Sequence, residues 1–141
     1  MFVLGYLLTF PEWGPLILRL ALGAAFIVHG YPKLFKNFSG TAGWLDSIGI
    51  RPGKFWALVV GIVEFFGGIA LVLGVFTQLA ALLIAINMLV ALIKVKWGRS
   101  RYVDPERMGW ELDIAYLAMA LAIMVLGSGA YSLGGYAPVG Y

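Results

Sequence analysis

Apolar residues dominate four stretches of the chain, and each stretch ends where charged or turn-forming residues cluster. A membrane-spanning helix needs about 20 mainly apolar residues. Four segments fit, at about 15–34, 55–76, 78–97 and 108–126. Pro15 suits a first helical turn, where its missing N–H costs nothing, and Pro32 with Lys33 marks the far end of that helix. The turn sequence Arg51-Pro52-Gly53-Lys54 sets the entry to the second helix. Thr77 follows Phe76 directly, so helices two and three are predicted to form a tight antiparallel hairpin. Gly127, Ser128 and Gly129 stop the fourth helix.

The other connections are longer. The first contains Asn37, Ser39, Gly40 and Gly43, followed by Trp44-Leu45-Asp46-Ser47-Ile48, which could form a short interfacial helix. The third is a basic loop over 94–107. Met1 to Phe10 is apolar but too short to span, and is expected at the interface. It lacks a basic n-region and an A-x-A-like site, so no cleaved signal peptide is expected.

Composition supports a bilayer environment. Of the 141 residues, 62% are apolar and 12% charged, against roughly half and a quarter in soluble domains. A chain this small has too much surface for its volume to hide that excess from water. There is no cysteine, which excludes a disulfide framework and clusters held on the chain's own thiolates. No Lys- or Arg-rich run is dense enough for a nucleic-acid surface.

Placement of charge sets the orientation. Lys33, Lys36, Arg51 and Lys54 flank the first loop, and Lys94, Lys96, Arg99, Arg101 and Arg107 the third. The second loop and the tail after Leu126 carry none. Positive residues stay in the cytoplasm, which puts loops one and three there. Tyr131, Tyr136 and Tyr141 then suit the outer interface. The predicted fold class is all-α: an integral membrane four-helix bundle, one domain, both termini on the extracytoplasmic side of the plasma membrane.

Ionisable residues at membrane depth are costly and point to function by default. Glu64 lies roughly 13 Å into helix two by the rise per residue, beside Gly61, Gly67 and Gly68. Small residues let a second helix approach closely, so Glu64 should face the interior. It reads either as a proton-carrying or substrate-binding carboxyl, or as an interhelical hydrogen bond or ion pair. His29 sits one turn before Lys33 and within roughly 6 Å of the depth of Glu64. It reads as a proton relay or quinone-carbonyl ligand, or as a cap for the frayed end at Gly30-Tyr31-Pro32. Asn87 is an interhelical hydrogen-bond candidate. Arg19 either snorkels outward or pairs inside the bundle. Glu111 and Asp113 open helix four, where acids complement the dipole and Lys94 and Lys96 lie near. Glu111 alternatively marks a cytoplasmic proton entry. One His and no Cys leave no structural zinc set, and no metal site is expected.

These residues resemble a known family. Leu18-Arg19 followed by Leu22-Gly23, then Phe26-Ile27-Val28-His29-Gly30-Tyr31-Pro32-Lys33-Leu34, is similar to the first helix of DoxX proteins. Gly61-Ile62-Val63-Glu64-Phe65-Phe66-Gly67-Gly68 through Leu73-Gly74 resembles their second. Asn87-Met88-Leu89-Val90-Ala91, Trp110-Glu111-Leu112 and Gly127 to Leu133 also match, although Gly134 stands where the family often has an aspartate. The resemblance implies a four-helix membrane bundle in quinone-linked respiratory company, of terminal quinol oxidase or thiosulfate:quinone oxidoreductase type.

The expected function is a small membrane subunit of such a complex, packed on larger membrane subunits and either structural or lining a quinone or proton route. On that reading the chain alone binds no resident cofactor, with quinone as the possible ligand, and it takes no nucleic acid. The alternatives are an independent quinone-binding oxidoreductase or a small oligomeric transporter.

Overall fold

The computed structural model describes residues 10–106 and 108–134. The interfacial stretch expected at residues 1–9, the Arg107 charge, and Tyr136 and Tyr141 lie outside them. Among the described residues the regular structure is helical throughout. The helices are α1 (Trp13–Tyr31), α2 (Phe38–Ser47), α3 (Gly53–Leu73), α4 (Thr77–Val90) and α5 (Glu111–Leu126). Wider π-helical turns, Pro32–Lys36 and Ala91–Lys96, prolong α1 and α4.

The first of these carries the helix past Pro32 and two residues beyond the expected end at 34, to Lys36. The proline ring lacks an N–H and crowds the carbonyl four residues back, so the regular ladder is lost there. The helix widens rather than ends, and the Asn37 N–H donates to the Pro32 carbonyl at 2.8 Å. The end of α4 does the same, with the Trp97 N–H on the Leu92 carbonyl at 2.9 Å. The hairpin between α3 and α4 forms as expected. Gly74, at φ 71°, ends α3 in the left-handed conformation that glycine adopts without strain.

Among the described residues three helices are long and apolar enough to cross a membrane: α1 and α4 with their π turns, and α3. The fourth differs from its expected span over 108–126. α5 has 16 residues, roughly 24 Å at 1.5 Å per residue, against a hydrocarbon layer of ~30 Å. Its entry is taken by the third loop instead. The N–H groups of Trp110 and Glu111 donate to the carbonyls of Arg101 and Tyr102, and this holds the chain out of the helix until Glu111.

Each helix buries one narrow stripe. On α1 it is Pro15, Arg19, Leu22, Gly23, Phe26 and Gly30; on α3 it is Gly53, Ala57, Gly61, Glu64, Gly68 and Leu71. α1 packs on α3, α3 on α4, α4 on α5, and α5 returns to α1. Leu22, Phe26, Leu71, Ile84 and Ile123 fill the space between them. The outward faces stay apolar: Ile17, Val28, Phe66, Leu79, Ile86 and Val125 are all exposed. Only lipid makes such a surface favourable. The short amphipathic α2 lies against α3 through Ala42, Leu45 and Ala57. Its Asp46 carboxylate accepts the Gly53 N–H at 2.8 Å, which caps the start of α3 where the dipole favours an anion.

Glycines set how closely α1 and α3 approach. A Cβ on Gly23 would come within 2.7 Å of the Gly68 carbonyl oxygen, and one on Gly68 would meet the Gly23 carbonyl at 2.7 Å. A Cβ on Gly67 would meet only Ile84 side-chain carbons, at 3.5 Å or more. Gly68→Ala is therefore expected to destabilise by about 1–3 kcal/mol through backbone overlap, whereas Gly67→Ala is tolerated. Unfolding of both variants in mixed micelles checks this. Equal effects would show that the seam is not glycine-limited.

Candidate functional site

The end of the molecule that carries the lysine-rich loops holds a cavity of about 390 Å³, within the usual range for a small-molecule site. Its walls are mainly apolar, with Phe26, Met88, Val60 and the exposed rings of Trp44 and Trp56 among them. Against these walls stand seven polar side chains: His29, Lys33, Glu64, Asn87, Lys96, Asp113 and Tyr116.

Glu64 is the centre of the first polar group. It is 3% exposed, because it shares the buried stripe of α3 with Gly61 and Gly68. Lys33 Nζ donates to both carboxylate oxygens, at 2.8 and 2.7 Å, and Asn87 Nδ2 donates to Oε1 at 2.9 Å. A charge buried from water is tolerable only when paired and hydrogen-bonded, and this carboxylate has three such bonds. Lys33 reaches it because the π turn carries α1 one more turn past Pro32 instead of releasing the chain there.

The second group is an ion pair, Lys96 Nζ to Asp113 Oδ2 at 2.5 Å. Lys96 also donates to the Gly109 carbonyl at 3.2 Å. Lys96 again stands on a π turn, and Asp113 in the first turn of α5. Between the two pairs lie His29 and Tyr116. The His29 ring centroid is 6.2 Å from that of Tyr116 and 6.3 Å from that of Phe26. The cavity thus combines ammonium, phenol and imidazole donors with carboxylates that hold the two lysines in place.

The expected site residues fall into three places. Glu64, Asn87 and His29 line this cavity together, and Asn87 and Glu64 are bonded directly. His29 and Glu64 share no hydrogen bond or ion pair; the charged partner of Glu64 is Lys33.

Arg19 lies elsewhere. It is 1% exposed, so it does not snorkel, and its partners are carbonyls instead of a carboxyl. Nη1 donates to Ser128 at 2.6 Å and Nη2 to Tyr131 at 2.7 Å. A Cβ on Gly74 would lie 2.5 Å from Nη1, so the ends of both α3 and α5 converge on the guanidinium, where their dipoles favour a cation. Glu111 borders a separate hollow with Asp104, Glu106 and Met108.

Sequence reasoning does not reach Lys33, Lys96, Asp113 or Tyr116 as site residues. The sequence carried a signal for the first: Lys33 is four residues after His29, on the same helical face. Nothing in the sequence marks Tyr116 beyond its position one turn after Asp113. Among the described residues no three His, Asp or Glu side chains gather to hold a metal ion.

Comparison with known proteins shows which family the chain resembles. The DoxX family model matches residues 14–97. The protein named "Putative oxidoreductase CatD" from Bacillus subtilis is 36% identical over 60% of this chain; the match spans 61% of that relative's length. The inner membrane protein YphA of Escherichia coli is 31% identical over 84% of this chain and 86% of its own. An uncharacterized protein of Haemophilus influenzae is 30% identical over 82% and 84%. No solved structure matches the chain. With its apolar spanning helices and relatives named as inner membrane proteins, this is a multi-pass protein of the cell membrane. The match reaches from α1, with His29 and Lys33, through Glu64 to the end of α4, and on that ground the chain belongs to the DoxX family.

Proposed function

We propose that the chain is a membrane subunit of a quinone-linked oxidoreductase complex and that its cavity receives a quinone head ring. The observation that carries this reading is the composition of the cavity. Apolar and aromatic walls surround two lysine–carboxylate pairs, Lys33–Glu64 and Lys96–Asp113, with Tyr116 and His29 between them. A quinone has a flat apolar ring and carbonyl oxygens that need donors, and this site supplies both kinds of surface. The oxidoreductase in the name of the Bacillus relative supports the same reading.

A bound quinone supplies two-electron, two-proton redox chemistry, with the electrons coming from a partner subunit. The chain's own part is binding and proton handling. Lys33 and Lys96 orient the ring oxygens, held by Glu64 and Asp113. Phe26, Trp44 and Trp56 enclose the ring. His29 accepts or donates a proton at an imidazole nitrogen.

Binding is tested with purified protein in mild detergent and a short-chain ubiquinone or menaquinone analogue. Quenching of Trp44 and Trp56 fluorescence is expected on addition, and Lys96→Met is expected to weaken it about tenfold, the effect of losing one charge-assisted bond. Absence of quenching with both analogues would overturn the reading. Redox-active subunits are expected to co-purify from native membranes; a lone, colourless oligomer would count against the complex.

The same proposal includes a fourth span and an orientation. α5 crosses the bilayer together with its flanking residues, and the basic loops lie in the cytoplasm. The absence of cysteine makes this directly testable. Single cysteines introduced at Ser100 and Ser132 are expected to react with an impermeant maleimide from opposite sides of the membrane, Ser132→Cys from outside. Labelling of both from one side would remove the fourth span.

A further inference from the structure

The third loop and the adjoining helices carry a second site that the cavity reading does not use. On the lipid-facing side, Leu89, Leu92, Ile93, Trp97, Trp110 and Ile114 form an apolar groove of about 410 Å³ between α4 and α5. At its end the groove meets a polar hollow of about 470 Å³ lined by Arg99, Arg101, Asp104 and Glu106. Gly98 and Ser100 border both, so the two adjoin.

This junction has the polarity of a membrane amphiphile. The groove lies in the apolar part of the helices, and Trp97 and Trp110 stand where it turns polar. Indole rings favour the headgroup level of a bilayer. Beyond them come two guanidinium groups, which match phosphate oxygens by bidentate hydrogen bonding. Two carboxylates complete the hollow. Asp104 is engaged in its own loop, where Oδ1 accepts the Glu106 N–H at 3.1 Å. The Glu106 side chain is exposed beside it. Among the described residues that line the hollow, two positive and two negative groups balance, which matches a zwitterionic headgroup better than a purely anionic one.

We propose that the groove and hollow together hold an ethanolamine phospholipid. One acyl chain lies along Leu89, Leu92, Ile93 and Ile114, the phosphate rests on Arg99 and Arg101, and the ammonium faces Glu106. An ethanolamine ammonium can donate hydrogen bonds to a carboxylate; the quaternary ammonium of choline cannot. The site therefore discriminates between the two headgroups and not only between charged and neutral lipids.

Native mass spectrometry of delipidated full-length protein in detergent tests this. Phosphatidylethanolamine, phosphatidylcholine and phosphatidylglycerol of identical chains are added in turn. The ethanolamine lipid is expected to be retained about tenfold better than the choline lipid, as one charge-assisted bond implies. Paired Arg99→Gln and Arg101→Gln changes are expected to lower its retention at least about tenfold. Glu106→Gln is expected to bring it down to the choline level while leaving that lipid unaffected. All three positions are exposed, so an unchanged thermal midpoint accompanies each variant. Glycerophosphoethanolamine, which has no chains, is expected not to displace the lipid. Equal retention of the three lipids, preference for phosphatidylglycerol, insensitivity to the arginine changes, or displacement by the bare headgroup would each overturn the proposal.

Discussion

Lys33→Met is expected to destabilise the protein by about 3–5 kcal/mol, the loss typical when a buried ion pair is broken on one side. The reason is that Glu64, 3% exposed, would keep a single hydrogen bond, from Asn87, and no counter-charge. Glu64→Gln is expected to cost less, about 1–2 kcal/mol, because the amide still bonds to its neighbours and the Lys33 side chain, one-third exposed, retains access to solvent. Combining Lys33→Met with Glu64→Leu removes both charges and is expected to recover most of the loss. About 1–2 kcal/mol should remain for the Asn87 amide left without an acceptor. Reversible unfolding in mixed micelles of the unaltered protein, Lys33→Met, Glu64→Leu and the double variant closes a double-mutant cycle, with Glu64→Gln measured beside it. If the double variant is as unstable as the sum of the single ones, the pair is not coupled and the description of Glu64 as a buried charge fails.

Arg19→Met is expected to destabilise by about 2–4 kcal/mol, two charge-assisted hydrogen bonds offset by the relief of a buried charge. Its more specific consequence is local. The segment after α5 is fastened by the Arg19 bonds to Ser128 and Tyr131, by the Ala130 N–H on Glu12, and by Leu133 and Gly134 on the α3 terminus. Without the guanidinium the two carbonyls lose their donors, and the segment should open. Chymotrypsin cleavage after Tyr131 is expected to accelerate in Arg19→Met. Arg19→Lys should be intermediate, since one ammonium is less suited than a planar fork to two separate carbonyls. Unchanged cleavage in both variants would mean that Arg19 does not fasten this segment. Faster cleavage than the change in global unfolding accounts for would separate the local latch from overall stability.

The two variants also separate the ends of the molecule. Lys33 and Glu64 border the cavity at the lysine-rich end, whereas Arg19 closes the opposite end. Arg19→Met is therefore expected to leave quinone-analogue quenching of Trp44 and Trp56 in place. Loss of quenching in that variant would show that the cavity depends on the latch.

Much of the fold was legible because bilayer physics acts on sequence in a local way. Runs of apolar residues mark spans, Gly127 marks a helix end, and small residues beside Glu64 mark the face turned inward. The glycines beside Glu64 mark a packing face, and the approach of Gly68 to the Gly23 carbonyl shows how close that packing is. The errors have local causes as well. Pro32 breaks the regular ladder and marks the far end of its helix, yet a wider turn absorbs the defect and carries the helix on to Lys36. Met108 to Trp110 are apolar or small enough to continue a helix, but bonds from the third loop claim their end of it.

By itself, then, the sequence determined that this chain is helical and membrane-embedded, and that Glu64 sits inside with Asn87 near its level. These follow from hydropathy and from the cost of charge in lipid, which are properties of single segments. Only the tertiary structure decided the partners. It joined Glu64 to Lys33 instead of His29, set Lys96 on Asp113, brought Tyr116 to the cavity and put Arg19 at the far end on backbone carbonyls. Which helices face each other, and the small rotation a π turn adds to a side chain, are set by packing between distant segments. No periodicity within one segment encodes them.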